Sequence, residues 1–346
     1  MLSVSKTLAE IIDLPYNYCR VIDMSFNRAL SKRVSIMHTV RPFAALAVFF
    51  LLTSCAVDKM AINMVADALS KPGGTVWTGE DDPELVADAM PFAIKLYESL
   101  LEGAPDNTSL ILSLGSVYVM YGNAFLQTPA SMLPVADYQK KEAMLARSKK
   151  FFMKGKNLLI SGLEKKHPGA AKLIAEKKTN EMNKLMTKDD VGYLYWLAAA
   201  WMSAFSVNAF DIDVAVGVPV AHSLIMRALE LDESYSKGAI HDFLISFYAM
   251  VPLSLGGGDD AKAKYHYEKA LKLAGGMSAS PYVTYATAMS VKMQNVKEFD
   301  ELIEKALAVS TADVYDGRLA NVLTQRRAKW LKEHRGDIFL LDDDKK

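Results

Sequence analysis

From about residue 57 onward, apolar residues recur at intervals of three and four, the spacing that gathers them on one face of an α-helix. The pattern predicts helices near 57–70, 83–103, 107–127, 138–166, 169–186, 190–209, 217–231, 236–250, 259–274, 281–294, 297–309 and 315–333. Few stretches alternate apolar and polar residues as a half-buried strand would, so the expected fold class is all-α. Several starts carry a side chain able to accept from the free amides of a first helical turn. These are Asp82 before Pro83, Asp106 before Asn107, and Asp259 after the Gly256-Gly257-Gly258 break. The clearest links are 71–81 and 209–219, and the charged end 341–346 is expected to fray.

Within this helical pattern lies a repeat. Ala221, Ile225, Ala228 and Leu229 recur as Ala263, Tyr267, Ala270 and Leu271, and again as Phe299, Ile303, Ala306 and Leu307, at spacings of 42 and 36 residues. A fainter copy is Phe92, Leu96, Ser99 and Leu100, followed by Pro105. Small residues at fixed positions let a neighbouring helix approach closely, and the larger apolar residue fills the space between them. This arrangement closes the second helix of a tetratricopeptide (TPR) hairpin. The expected architecture is a TPR-like α-solenoid of antiparallel helix pairs over residues 81–340. A centre of about 130–215 falls outside the period and interrupts or decorates it. Inner helices of such a solenoid face its concave groove.

The N-terminus has a different pattern. Arg41 precedes the apolar run 43–52, which ends in Leu52-Thr53-Ser54-Cys55. A basic flank, a short apolar stretch and small residues before a cleavage point make a secretory signal, and the run is well short of the roughly 20 residues that span a bilayer. Leu52-Thr53-Ser54-Cys55 resembles a bacterial lipobox. There the cysteine sulfur takes a diacylglycerol and the new amino group a fatty acyl chain such as palmitate, and several chains together anchor durably. The expected division is therefore a leader and signal peptide at 1–54, and a lipidated N-terminus with the first helix at 55–80. The solenoid follows at 81–340. Met1, Met24 and Met37 are alternative starts within the leader. The expected location is the periplasmic face of a bacterial membrane.

Charge and chemistry narrow the function mainly by exclusion. The chain carries 40 Lys and Arg against 40 Asp and Glu, without the basic excess that binding to nucleic acid requires. Its two cysteines, Cys19 and Cys55, offer no disulfide framework, and acylation of Cys55 leaves the mature chain no thiol. No zinc-protease, Walker, Rossmann or nucleophile-elbow signature occurs. His167, His222, His241, His266 and His334 are scattered without the i, i+4 pairing of a metal site. No cofactor, metal or catalytic residue is therefore assigned, and the protein reads as a non-enzyme. Two aromatic groups are candidates for lining a ligand cleft: Tyr193, Tyr195, Trp196, Trp201 and Phe205 with Asp211, and Tyr118, Tyr121, Asn123 and Phe125. Each of these aromatics has an alternative role as ordinary helix core. Arg326, Arg327 and Lys329 read as a solvated helix face.

Stretches 81–107, 193–201, 227–244, 255–273 and 318–340 together resemble the T component of TRAP transporter-associated systems, a family of periplasmic lipoproteins. All are packing and turn motifs. The resemblance implies TPR-like helix pairs, a homotrimer, and a cleft or pore admitting a hydrophobic or small organic ligand. It also implies a complex with a solute-binding P subunit in TRAP-type uptake, and it places the Trp196/Trp201 helix near the cleft. Two alternatives remain. One is a ligand- or lipid-binding lipoprotein acting through its own cleft, the other a structural lipoprotein of envelope assembly.

Overall fold

The computed structural model describes residues 60, 62–68, 75–312 and 316–340. Cys55, the leader and signal 1–54 and the tail 341–346 lie outside the described residues. The elements below belong to one folded unit that begins at Ile62. Among the described residues there is no strand, and the fold is all-α.

Ten long elements organise it. They are α1 (Pro83–Gly103), α2 (Thr108–Gly122, continuing through a π-helical turn at Asn123–Gln127 into Thr128–Ser131) and α3 (Tyr138–Lys166). Next come α4 (Val191–Val207), α5 (Val218–Leu231), α6 (Ala239–Met250) and α7 (Asp260–Ala274). The last three are α8 (Ser280–Tyr285, continuing through a π turn at Ala286–Ser290), α9 (Val296–Leu307) and α10 (Arg318–Glu333).

Local chemistry explains the boundaries. Asp82 Oδ1 accepts from the amides of Glu84 and Leu85 at 3.0 and 3.1 Å, with Pro83 in the first turn, where its missing N–H costs nothing. Asp259 Oδ1 does the same for Lys262 at 3.0 Å. The start of α2 differs from expectation by one residue: the cap is Asn107, whose Oδ1 accepts from Leu110 N at 2.8 Å. The single helix expected over 169–186 is two short ones, Ala170–Ala175 and Thr179–Leu185. Lys177 between them takes a left-handed φ of 57°, which ends the first.

Consecutive helices pack on each other. α2 packs on α1 and α3, α4 on α3 and α5, α7 on α6, and α9 on α8 and α10. The repeat residues Ala221, Ile225, Ala228, Ala263, Ala270, Phe299, Ile303 and Ala306 are buried in these contacts, as small-large interdigitation requires. Tyr267 stacks on Tyr285 at 4.3 Å. The faint copy behaves differently, because α1 turns Val86, Met90, Ile94 and Tyr97 inward and leaves Phe92 73% exposed. The segment 130–215 contributes Phe152, Leu159, Leu163, Leu194 and Leu197 to the main core.

The last long helix returns to the first. α10 packs against α1, Arg326 grips Glu84 through two bonds of 2.6 and 2.9 Å, and Arg318 reaches Asp81 at 3.8 Å. The helices therefore close around a central space.

Candidate functional site

That space is a cavity of about 850 Å³, within the range that holds small organic ligands. Its lining follows a rule. α2, α4, α6, α8 and α10 contribute to the wall, as does Met90 of α1, whereas α3, α5, α7 and α9 contribute nothing. Alternate helices thus face inward and the intervening ones form an outer layer.

The wall is mainly apolar. Val119 and Phe125 come from α2 and its π turn, Trp196 and Met202 from α4, Phe243 and Phe247 from α6, Val283 from α8, and Leu319 and Leu323 from α10. The π turn adds Asn123 and Gln127, joined at 3.2 Å, with Gln127 Nε2 donating to Ser206 Oγ of α4 at 2.8 Å. A π turn inserts one residue into the helical ladder and re-aims the side chains around it, a device frequent at binding sites.

Among the described residues, one acidic and one basic side chain border the cavity. Ser280 Oγ donates to Asp242 Oδ2 at 2.5 Å, and Asp242 Oδ1 is buried without a hydrogen-bond partner among the described residues. Burial pushes the Asp242 carboxyl above the usual range, against the opposing hydrogen bonds from Ser280 and Thr284. Arg327 is the second. Part of its surface is accessible because it borders the cavity, yet it lies deep enough for burial to push its guanidinium below the ordinary value. It makes no hydrogen bond or ion pair with any described residue.

The expected site residues divide. Asn123, Phe125, Tyr195, Trp196 and Phe205 line the cavity; Tyr118, Tyr121, Tyr193, Trp201 and Asp211 do not. The Tyr118 hydroxyl donates to Glu98, and Tyr121 packs edge-on against Phe151 at 5.1 Å, both within the α1–α2 core. Tyr193 is buried and donates to the Thr108 carbonyl. Trp201 is buried with Nε1 donating to the Val214 carbonyl at 3.0 Å. Asp211 caps Ile212–Ala215 and pairs with Lys149. These five aromatic and acidic positions serve packing and capping, because the helical face that carries them turns toward a neighbouring helix.

Arg327 is a correction in the other direction. A solvated face was expected for Arg326, Arg327 and Lys329, and only Arg326 and Lys329 are exposed. Leu319, Ala320, Leu323, Thr324 and Arg327 form the i, i+1, i+4, i+5, i+8 stripe that faces the cavity. That spacing was visible in the sequence. Two adjacent arginines obscured it.

The histidines are also less scattered than their positions suggested. His241 Nδ1 and His266 Nδ1 share a 2.7 Å hydrogen bond, and His222 Nε2 meets the Tyr248 hydroxyl at 3.0 Å. Among the described residues no group of three or more His, Cys, Asp or Glu is placed to hold a metal ion.

The fold and the site together define an all-α protein whose alternate helices wall a mainly apolar cleft of ligand size. The chain belongs to the TRAP transporter T-component family, which it matches over residues 79–339, a span that holds every described cavity-lining residue except Thr78. It is also 32% identical over 312 residues to an uncharacterized protein of Treponema pallidum (strain Nichols), covering 86% of this chain and 96% of that protein. Membership makes it a component associated with TRAP-type transport.

Proposed function

We propose that the protein is a lipid-anchored, non-enzymatic partner of a periplasmic solute-binding P subunit. Its own cleft would hold a small apolar or carboxylate-bearing solute during TRAP-type uptake. The observation that carries this reading is the 850 Å³ cleft in a chain of the T-component family. The alternation of lining and non-lining helices supports a TPR-like solenoid of antiparallel pairs, in which inner helices present a common concave wall. Leu85, Phe92 and Leu96 are exposed along one face of α1 and supply apolar surface for a homotrimer or for the P subunit. The lipobox at Cys55 supports anchoring at the periplasmic side of a membrane.

Titrating the purified protein with the P subunit of the same uptake system tests the docking. Saturable binding is expected, and absence of binding at high micromolar concentration would remove this half of the reading. Mass spectrometry of the mature protein is expected to find an N-terminus at Cys55 carrying acyl chains. An unprocessed, unmodified chain would exclude the anchor.

A second reading, a ligand-binding lipoprotein acting without a P subunit, is favoured by one feature: residues of this chain already line a cavity of ligand size. It predicts ligand carried through purification together with no P-subunit binding.

A further inference from the structure

Arg327 poses a problem that the cleft reading alone does not answer. It is the sole Lys or Arg among the described residues lining the cavity, on the inward stripe of α10 with Leu319, Leu323 and Thr324. A guanidinium cannot shed its proton to escape desolvation, and a partly buried cation without a protein partner leaves its charge facing the cavity. Proteins normally answer that cost with a carboxylate or a set of carbonyls, yet no described residue ion-pairs or hydrogen-bonds to Arg327.

Asp242, the sole carboxylate among the described lining residues, is not the missing partner. Its Oδ2 accepts from Ser280 while its Oδ1 has no partner among the described residues, and no ion pair joins it to Arg327. Neither charge perturbs the other: burial alone sets the shift at Arg327, while burial, Ser280 and Thr284 set that at Asp242. Arg326 next in sequence is committed outward to Glu84, so the two arginines have separate roles. The remaining wall is apolar or neutral. The cavity therefore has one fixed positive charge, an apolar body and room for a small molecule.

We propose that Arg327 is the anion anchor of the cleft, receiving the carboxylate of a small aliphatic monocarboxylate whose hydrocarbon part lies on the apolar wall. This rests on the reading of the cleft as a ligand site. A single carboxylate matches a single guanidinium in charge and in its planar, two-pronged geometry. A phosphate monoester would bring nearly two negative charges to one cation, and a dicarboxylate would leave its second charge against apolar residues. A neutral alcohol or hydrocarbon would leave Arg327 unpartnered. The preference for a charged head over a neutral one of the same chain length is thus the signature of the site.

The test uses the full-length chain with octanoate and octan-1-ol at pH 7, titrated by calorimetry into wild type, R327Q and R327K. The wild type is expected to bind octanoate at least about tenfold more tightly than octanol. R327Q should lose that preference, weakening octanoate at least about tenfold with octanol unchanged, and R327K should restore part of it. Unchanged octanol binding also shows that the variant is folded. Retention of the octanoate preference by R327Q would overturn the anchor while leaving the cleft reading intact. Loss of both ligands in R327Q would also overturn it, by showing a structural role. Failure of the wild type to bind either ligand would overturn the cleft reading itself and the anchor with it.

Discussion

His241 and His266 lie 25 residues apart in the chain and meet through one short hydrogen bond, which fixes their protons. His241 Nε2 faces Glu233 at 3.2 Å and donates to it, so its Nδ1 accepts and His266 Nδ1 carries the shared proton. Burial pushes both histidines below their ordinary value, His266 to about 4, with the charge on His241 adding to the effect there. Glu233 opposes the shift at His241, while Lys269 reinforces it at both and Lys262 and His222 at His266. A base whose folded pKa is depressed binds fewer protons folded than unfolded below about pH 6.5. Stability is therefore full above that pH and declines as pH falls toward 4. Thermal unfolding should show Tm dropping between pH 7 and 5, with a smaller drop in His266→Gln. An identical pH response in the two proteins would mean that the pair does not titrate as described. Nothing in the sequence announces this pair, because 25 residues and a helix turn separate its members.

At the scale of elements, the close packing of α3 against α2 and α4 depends on residues without side chains. A Cβ at Gly115 would come within 2.7 Å of Leu159, and one at Gly162 within 2.5 Å of the Tyr193 ring. Gly162→Ala should therefore destabilise the fold by about 1–3 kcal/mol, the usual cost of overpacking a dense core. Chemical denaturation measures it, and a neutral result would mean that the Tyr193 ring moves freely despite its bond to Thr108. Helix existence was legible in the sequence because periodicity and caps such as Asp82 and Asp259 are local. What was not legible depends on neighbours. The π turn at Asn123–Gln127 reads as ordinary helix until α4 supplies Ser206 as a partner for Gln127. Trp201 and Tyr193 looked like cleft aromatics because composition reports bulk and polarity but not which face of α4 a side chain occupies. Trp196, five residues from Trp201, emerges on the other side and reaches the cavity.

At the scale of the molecule, the closure of α10 on α1 turns a row of helices into a walled cleft. That closure joins positions 84 and 326, a separation no local pattern encodes. Glu84 and Arg326 are both largely exposed, so Glu84→Gln should cost no more than about 1 kcal/mol and leave ligand binding intact. A collapse of binding in that variant would show that the ion pair, rather than apolar packing, holds the cleft shut. The repeat falls on α5, α7 and α9, and none of these helices lines the cavity. The cavity's own composition is drawn from six of the ten long helices and had no linear signature beyond the Arg327 stripe.

The most direct test of the account is crystallography of the protein with 8-bromooctanoate, using the anomalous signal of bromine to locate the ligand. The account predicts bromine within the cleft against the apolar wall and the carboxylate paired with Arg327. Bromine bound elsewhere, or an empty cleft at saturating ligand, would contradict it.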